Sequence, residues 1–503
     1  MEIHSEFMRR VSQMPAHGLG LSVDVYQPDL VELMEALAAQ RLNVGYLEIF
    51  KAAEKVLERV QSRFPSTKLT YHGEGLWATQ PDFDGAPSVG EELASAAAHL
   101  RTLSSAWINL ETATKQMAGY SFGTYLPPLY TKESAAVTAE NARAIQRYLD
   151  HVLGQDGLPG SLLLLELPPL TYFGVGTLSI PAFFAQITER TPCGLVLDIG
   201  HLWTVYRYTG VWRQQPLDTF TAEFLNAFPM ERVVEIHLAG LAEWQGSTGQ
   251  PESPIGCKVT GRSENSPGVP PRWIDAHGVP IPEVLFDLMR QVLAHPQLTN
   301  LKGIALEVDT KPIPHIVREF ARLCDEFGRV WRRWEPAPGD RHQSAAGQRT
   351  GDVMHAVNED VKHALRRGYE RYAKVVTGQL DPHASGLLHP TWSYEDLHQY
   401  QAVYLPHEIL HWGGELRDMF PQSCRAGEEQ GISLSDFVSD WFREPRPVTA
   451  SYDFFLLKVE RFVRFVAERV PAILPLAERE AGELRAAYAM ANEGSLSTTE
   501  VKA

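Results

Sequence analysis

The sequence predicts a closed (β/α)8 barrel followed by an all-helical segment, and three observations predict it. Eight short β-type runs lie before residue 334, amphipathic stretches of helical period separate them, and beyond residue 350 helical period alone remains. Strict strand–helix alternation implies a parallel sheet, and eight such units in about 320 residues match the size of a barrel closed on itself. A doubly wound open sheet is the alternative, but no G-x-G-x-x-G follows the first run, so a dinucleotide fold has little support.

Taken in order, the expected strands are Leu19–Val23, Val44–Ile49, Leu69–His72, Ala106–Leu110, Leu162–Leu167, Gly194–Asp198, Arg232–Leu238 and Gly303–Val308. Between them, helical patterns occupy Leu30–Gln40, Glu133–Leu153, Pro181–Glu189 and Pro282–Ala294. Residues 334–350 lack apolar periodicity and are rich in Pro, Gly and small polar residues, as a linker is. The expected division is therefore a barrel over 1–334, a linker over 335–350, an all-α C-terminal domain over 351–491 and a flexible tail over 492–503. In that helical domain Val353–Val376, Tyr394–Phe420 and Tyr452–Val470 carry apolar residues three and four apart, as in Phe455, Val459, Phe462 and Val466.

Composition narrows the function classes. The 503 residues are 44% hydrophobic and 21% charged, an ordinary globular balance, and 62 Asp and Glu against 46 Lys and Arg give a formal charge of −16. A partner gripped through its phosphates, and so nucleic acid, is disfavoured. Cys193, Cys257, Cys324 and Cys424 are scattered with no C-x-x-C pair, which argues against a disulfide framework or thiolate zinc site and fits a reducing, cytoplasmic compartment. The most apolar run, around Leu162–Leu165, is far shorter than the ~20 residues that span a bilayer, and the N-terminus lacks a basic-then-apolar leader, so no membrane or export role is expected.

The chemistry is written where the strands stop. Successive runs end in His72, Glu166, Asp198 followed by His201, His237 and Glu307. In a barrel those carboxyl ends converge on one mouth, where imidazoles and carboxylates would repel or stay unsatisfied unless a cation neutralised them. Mixed nitrogen and oxygen donors suit Fe, Mn or Zn rather than Ca or Mg. Asp275 and His277, on the long connection after the seventh strand, are placed to reach the same mouth. Three strand-end carboxylates, a further Asp and four histidines exceed what one tetrahedral zinc needs, which favours two or three ions bridged by a carboxylate. Singly, each His has an ordinary reading as a hydrogen-bonded barrel residue, and Glu48 at the second strand's end reads as structural or as support behind a ligand.

Together the motifs His72-Gly-Glu-Gly-Leu, Leu126-Pro-Pro-Leu-Tyr-Thr-Lys-Glu133, Glu166-Leu-Pro, Leu197-Asp-Ile-Gly-His201, Glu235-Ile-His-Leu-Ala-Gly240, Asp275-Ala-His-Gly and Leu306-Glu-Val-Asp309 resemble, in order, the multinuclear non-heme iron-dependent oxidative enzymes. That family, formerly of unknown function, includes enzymes of methanobactin and thiaglutamate biosynthesis. The resemblance spans residues 16–330 and implies a TIM barrel of the xylose-isomerase type. It implies two or three iron ions in mixed Fe(II) and Fe(III) states, with dioxygen as co-substrate, oxidising a residue of a ribosomally made precursor peptide. By the same resemblance His72 is a first ligand and Glu166 a bridging carboxylate. Asp198, His237 and Glu307 surround a central iron, and His201, Asp275 and His277 serve the remaining one. The fourth strand departs from the family's Asp-His-Leu-Ser: it reads Trp107-Ile-Asn-Leu-Glu111, leaving Asn109 and Glu111 as substitute ligands or as support behind them. The loop Leu241–Pro270, rich in Gly, Ser and Pro, is a candidate lid or peptide-binding element.

Two features lie outside that set. The helical domain, with Gln399-Tyr-Gln-Ala-Val-Tyr and Leu416-Arg-Asp-Met-Phe-Pro421, resembles the separate partner proteins that present the precursor peptide; the alternative is a cap over the barrel or a dimerisation element. His407-Glu408-Ile-Leu-His411 fits H-E-x-x-H, a zinc motif when carried on a long helix, but Pro406 before it and Gly413-Gly414 after it predict a helix too short for that scaffold. The expectation is an iron- and dioxygen-dependent oxidase acting on a precursor peptide. The alternatives are a non-redox Zn or Mn isomerase or hydrolase on the same barrel, and a scaffold that binds peptide without catalysis.

Overall fold

Eight parallel strands pair in sequence order until the last meets the first: β1 (Gly18–Val23), β2 (Tyr46–Phe50), β3 (Lys68–Gly73), β4 (Trp107–Glu111), β5 (Leu162–Glu166), β6 (Gly194–Asp198), β7 (Val233–Leu238) and β8 (Gly303–Glu307). This is the closed barrel expected, and each strand falls on its predicted run. The computed structural model describes residues 2–155, 160–244, 269–334, 357–389 and 391–494. The linker 335–350, residues 245–268 of the Leu241–Pro270 loop and residues 495–503 of the tail lie outside them. Crossover helices include Leu30–Ala39, Lys132–Gln155, Ile180–Thr188, Glu283–Ala294 and Ile313–Trp331.

Inside the barrel the packing follows the period-2 alternation of strands. The lower layer is apolar and aromatic, with Tyr46, Trp107, Leu162, Leu164, Val196 and Ala305 in one cluster. Its floor is the helix Glu2–Gln13, an element not foreseen, which inserts Phe7 and Val11 into that cluster. Glycines on β1 and β8 make room for one large ring: a Cβ at Gly20 would stand 2.4 Å from Tyr46 Cδ1, and one at Gly303 would stand 2.6 Å from the Tyr46 hydroxyl. Two residues further up, the same alternation puts Glu48, Asn109, Glu166, Asp198, His237 and Glu307 at the carboxyl end. Strand register aligns them, pairing His72 with Asn109, Glu111 with Glu166 and Asp198 with His237.

After residue 357 the described chain is helical, as expected: Glu359–Val376, Tyr394–Gln399, Leu405–His411, Pro421–Glu429, Leu434–Trp441, Phe454–Arg469 and Leu474–Gly494 are the longer pieces. The run expected over Tyr394–Phe420 is interrupted. A π turn at Tyr400–Tyr404 precedes Pro406, widening the helix where the proline ring would crowd the carbonyl four residues back, and Gly413 and Gly414 end it with φ of 68° and 120°. These helices share one continuous buried core with the barrel. They rest on connections that leave the carboxyl ends of β4 to β7. Trp441 and Tyr452 donate hydrogen bonds to the carbonyls of Ser121 and Phe122, 2.8 Å each, and Tyr404 packs on Tyr172 and on Trp244. No helix among the described residues is long and apolar enough to cross a membrane.

Candidate metal centre

Six of the expected residues form a closed ring of contacts at the barrel mouth. Glu166 Oε1 lies 3.2 Å from His237 Nδ1, which lies 3.2 Å from Glu307 Oε1. Glu307 Oε2 is 3.3 Å from His277 Nε2, which is 3.1 Å from Asp275 Oδ2. Asp275 Oδ2 is 3.5 Å from His201 Nε2, and His201 Nδ1 returns to Glu166 Oε1 at 3.8 Å. His72 joins through Glu166 Oε2 at 3.4 Å, and Asp198 joins through His201 at 3.7 Å. All eight residues named from the sequence therefore meet in one place, together with Asn109 and Glu111.

Local structure explains how each arrives. His201 and Asp198 come from a strand-to-helix junction in which Asp198 caps the helix Ile199–Tyr208 by accepting from the His201 amide at 2.6 Å. Asp275 ends a short antiparallel strand, Trp273–Asp275, paired with Leu241–Glu243 directly after β7. His277 follows on a turn and directs Nδ1 to Asp309, 3.1 Å away.

The donor set is balanced for a cation. Glu48 Oε2, Asn109 Oδ1, Asp198 Oδ2, His201 Nε2, both ring nitrogens of His237, Asp275 Oδ1 and Glu307 Oε2 are buried without a hydrogen-bond partner. So many orphaned polar atoms around one point are costly unless an ion satisfies them. Ligand atoms of Glu48, His72 and Glu307, of Glu48, Glu235 and His237, of His72, Glu111 and Glu166, and of Glu166, Asp198 and His237 each lie within 4.8 Å of one another. Each of these groups, with oxygen and imidazole donors, could hold a metal ion.

Without an ion the charges compensate among themselves. Burial opposes charge on Glu166, yet His237 and His72 hold its carboxyl well below the usual range. Burial likewise opposes charge on His237, but Glu166, Glu48 and Glu307 raise it well above an ordinary imidazole; Asp198 and Asp275 do so for His201, and Asp275 and Glu307 for His277. Asp198 is pushed up to about 7 by burial, against the pull of His201 and with Glu307 and Asp275 adding to the rise.

A family model described as RiPP precursor modification enzyme MbnB/TglH/ChrH matches residues 16–331, the barrel with all of these residues. The chain belongs to this family. Among curated relatives, a UPF0276 protein of Rhizobium meliloti is 34% identical over 130 residues, 25% of this chain and 36% of that protein. One of Caulobacter vibrioides is 30% identical over 27% of this chain and 42% of its own length. The chain thus spans well under half the length of these first relatives. A UPF0276 protein of Vibrio parahaemolyticus is 25% identical over 48% of this chain and 71% of its length. Among solved structures, a xylose isomerase domain protein from Planctomyces limnophilus aligns over 64% of this chain and 99% of its own, with a TM-score of 0.37 and 12% identity.

Further residues stand around the eight. Asn109 donates to Glu166 Oε2 at 2.5 Å, and Glu111 Oε1 lies 3.9 Å from His201 Nδ1, so both fourth-strand residues reach the centre. Glu48 is fully buried, accepts from Ser22 at 2.9 Å and faces His237 Nε2 with Oε1 at 3.2 Å, on the side of the ring away from Glu166 and Glu307. Glu235 lies outside the expected set. It sits two residues before His237 on the same face of β7, a spacing that would have revealed it, and accepts from Tyr46 at 2.5 Å and Trp107 at 2.8 Å. The H-E-x-x-H histidines belong elsewhere. Their rings stack at 3.9 Å, His411 pairs with Glu415, and no group of three close ligating side chains among the described residues includes them.

Proposed function

We propose that this family member is an iron- and dioxygen-dependent oxidase that modifies a residue of a ribosomally synthesised precursor peptide, with His72, Glu166, Asp198, His201, His237, Asp275, His277 and Glu307 holding two or three iron ions. The observation that carries the reading is the disposition of Glu166. Its Oε2 faces His72 at 3.4 Å while its Oε1 faces His237 at 3.2 Å and His201 at 3.8 Å, so its two oxygens face different imidazoles and would let one carboxylate help to hold more than one ion. Iron in that setting would supply the electrons and the Lewis acidity for an oxidation with dioxygen.

The protein's own part is orientation and exclusion of water. Asn109 holds the outer oxygen of Glu166, and Asp309 fixes the His277 ring by taking its Nδ1 side. Glu48, anchored by Ser22, backs His237 through Nε2, the side of the ring away from Glu166 and Glu307, and so orients it. The helical segment closes over the connections around the mouth and takes the part of a fused peptide-presenting partner. The test is to load anaerobically purified protein with Fe(II), add a peptide from a short reading frame beside its gene, and follow oxygen uptake and peptide mass. Peptide-dependent oxygen uptake with a mass change supports the reading. Full activity with Zn or Mn in the absence of oxygen assigns the barrel to non-redox chemistry instead.

A further inference from the structure

One carboxylate of the helical segment, Asp396, grips two elements of the barrel whose opposite ends carry proposed ligands. Arg207 Nη1 donates to Asp396 Oδ2 at 3.1 Å, and Arg272 Nε donates to Asp396 Oδ1 at 2.9 Å. Asp396 is 2% exposed and the Arg207 side chain 4%, so that half of the junction is buried, while the Arg272 side chain is 40% exposed and also donates to the exposed Glu395 at 2.7 Å. The Ser393 hydroxyl accepts from the Asp396 amide at 3.2 Å, which fixes the first turn of the helix Tyr394–Gln399 that presents the carboxylate.

Arg207 lies in the last turn of the helix Ile199–Tyr208, whose N-cap is Asp198 and whose first turn holds His201. Arg272 immediately precedes the strand Trp273–Asp275, which ends in Asp275. The two elements are also tied to each other. Arg207 Nε donates to the carbonyls of Pro270 and Pro271 at 3.0 and 3.2 Å, the Tyr208 hydroxyl donates to the Trp273 carbonyl at 2.8 Å, and Trp203 packs on Trp273 with ring centroids 5.0 Å apart. Their far ends meet where His201 Nε2 and Asp275 Oδ2 stand 3.5 Å apart. A helix and a strand are stiff over such lengths, so the register set at the arginine ends is carried to the ligand ends.

We propose that Asp396 is a positioning residue for the outer corner of the metal centre: by clamping Arg207 and Arg272 together it sets the separation of His201 from Asp275 and His277. The inference rests on the metal reading above, and it makes the helical segment a structural part of the centre and not only a cover. Removing the Asp396 charge leaves the buried Arg207 uncompensated and Arg272 with Glu395 alone, so one carboxylate no longer joins the two arginines. Groups that orient metal ligands typically change affinity 10- to 100-fold when removed, and Asp396 acts from one step further away.

The experiment compares wild type, Asp396→Asn and Asp440→Asn as full-length proteins. Asp440 makes a similarly buried pair with Arg446, 3.2 Å, in the same helical segment, and controls for general loosening. Anaerobic Co(II) titration, read by stoichiometry and visible absorption, is paired with hydrogen exchange of residues 270–277 in metal-free protein. The expected result is that Asp396→Asn loses or weakens about tenfold the loosest-bound ion, keeps the tighter ones, and exchanges faster over 270–277, while Asp440→Asn matches wild type in both. Unaltered exchange and Co(II) binding in Asp396→Asn overturns the clamp. Equal weakening in Asp440→Asn also overturns it, as does loss of every ion at once. A wild type that binds no Co(II) while Asp396→Asn still loosens residues 270–277 sinks the metal reading, a result distinct from failure of the clamp.

Discussion

The side-chain amide of Asn109 stands 2.5 Å from Oε2 of Glu166, while the Asn109 carbonyl oxygen is buried without a partner beside it. A neutral donor thus occupies a position within reach of the carboxylate that the imidazoles of His72 and His237 surround. Asn109→Asp replaces that donor with a second carboxylate facing Glu166. In metal-free protein the repulsion is expected to lower stability by about 1–3 kcal/mol. An added divalent ion relieves it, so the metal-induced rise in melting temperature becomes larger than in wild type. An equal rise in both proteins would place Asn109 out of the ion's reach.

Glu235 lies below the ligands, pushed up to about 8 by burial and by neighbouring Glu48, so it is largely neutral at pH 7. Glu235→Gln keeps one acceptor for Trp107 and one polar group for Tyr46, and is expected to cost less than about 1.5 kcal/mol. Glu235→Ala strands both donors and opens a cavity, and is expected to cost roughly 3–5 kcal/mol. Denaturant midpoints measure the pair; equal losses would show that the hydrogen bonds of Tyr46 and Trp107 contribute nothing.

Metal-free protein should lose stability with rising pH more steeply than metal-loaded protein does. His201, His237 and His277 are raised well above 6.5, so their stabilisation is complete below pH 6.5 and is lost as pH rises through their folded values. Asp198, held at about 7 against 3.8 unfolded, adds a loss between those values, since the folded state there binds more protons than the unfolded chain. Glu166, held well below 4.5, has the opposite sign, and its stabilisation is lost only as pH falls into the acid range. Metal-free protein is therefore expected to melt lower as pH rises from 6 to 9, by several degrees on the scale usual for a few kcal/mol. Metal binding requires neutral imidazoles and ionised carboxylates, so the gap between loaded and metal-free melting temperatures widens over the same range. Calorimetry at stepped pH, with and without chelator, measures it; a gap that narrows would contradict the ligand assignment.

The barrel was legible because its signals are local and repeated: each strand is a short apolar run, and five of the eight carry a His, Asp or Glu at the end that a parallel barrel brings to one mouth. That signal marks His72, Glu166, Asp198, His237 and Glu307, with His201 one turn past Asp198, while Asp275 and His277 are marked only by the long connection that carries them. Glu48 and Glu235 were harder. A carboxylate inside a strand reads as a register accident until the burial of its neighbours is known, and only the alternation Glu235–Ile236–His237 hints that both polar residues face inward. The π turn before Pro406 and the helical floor at Glu2–Gln13 follow from tertiary packing that no short window records. The Asp396 clamp was illegible for the same reason, since its partners lie 189 and 124 residues away.

The most direct measurement is the elemental metal content of anaerobically purified protein, comparing wild type with Glu166→Ala and His407→Ala. Glu166 touches imidazoles on three sides, whereas His407 stacks on His411 in the helical segment. Two or more irons per chain, lost in Glu166→Ala and retained in His407→Ala, is the predicted result. Zinc alone, retained in Glu166→Ala and lost in His407→Ala, would contradict the barrel-centred account and move the metal to the helices.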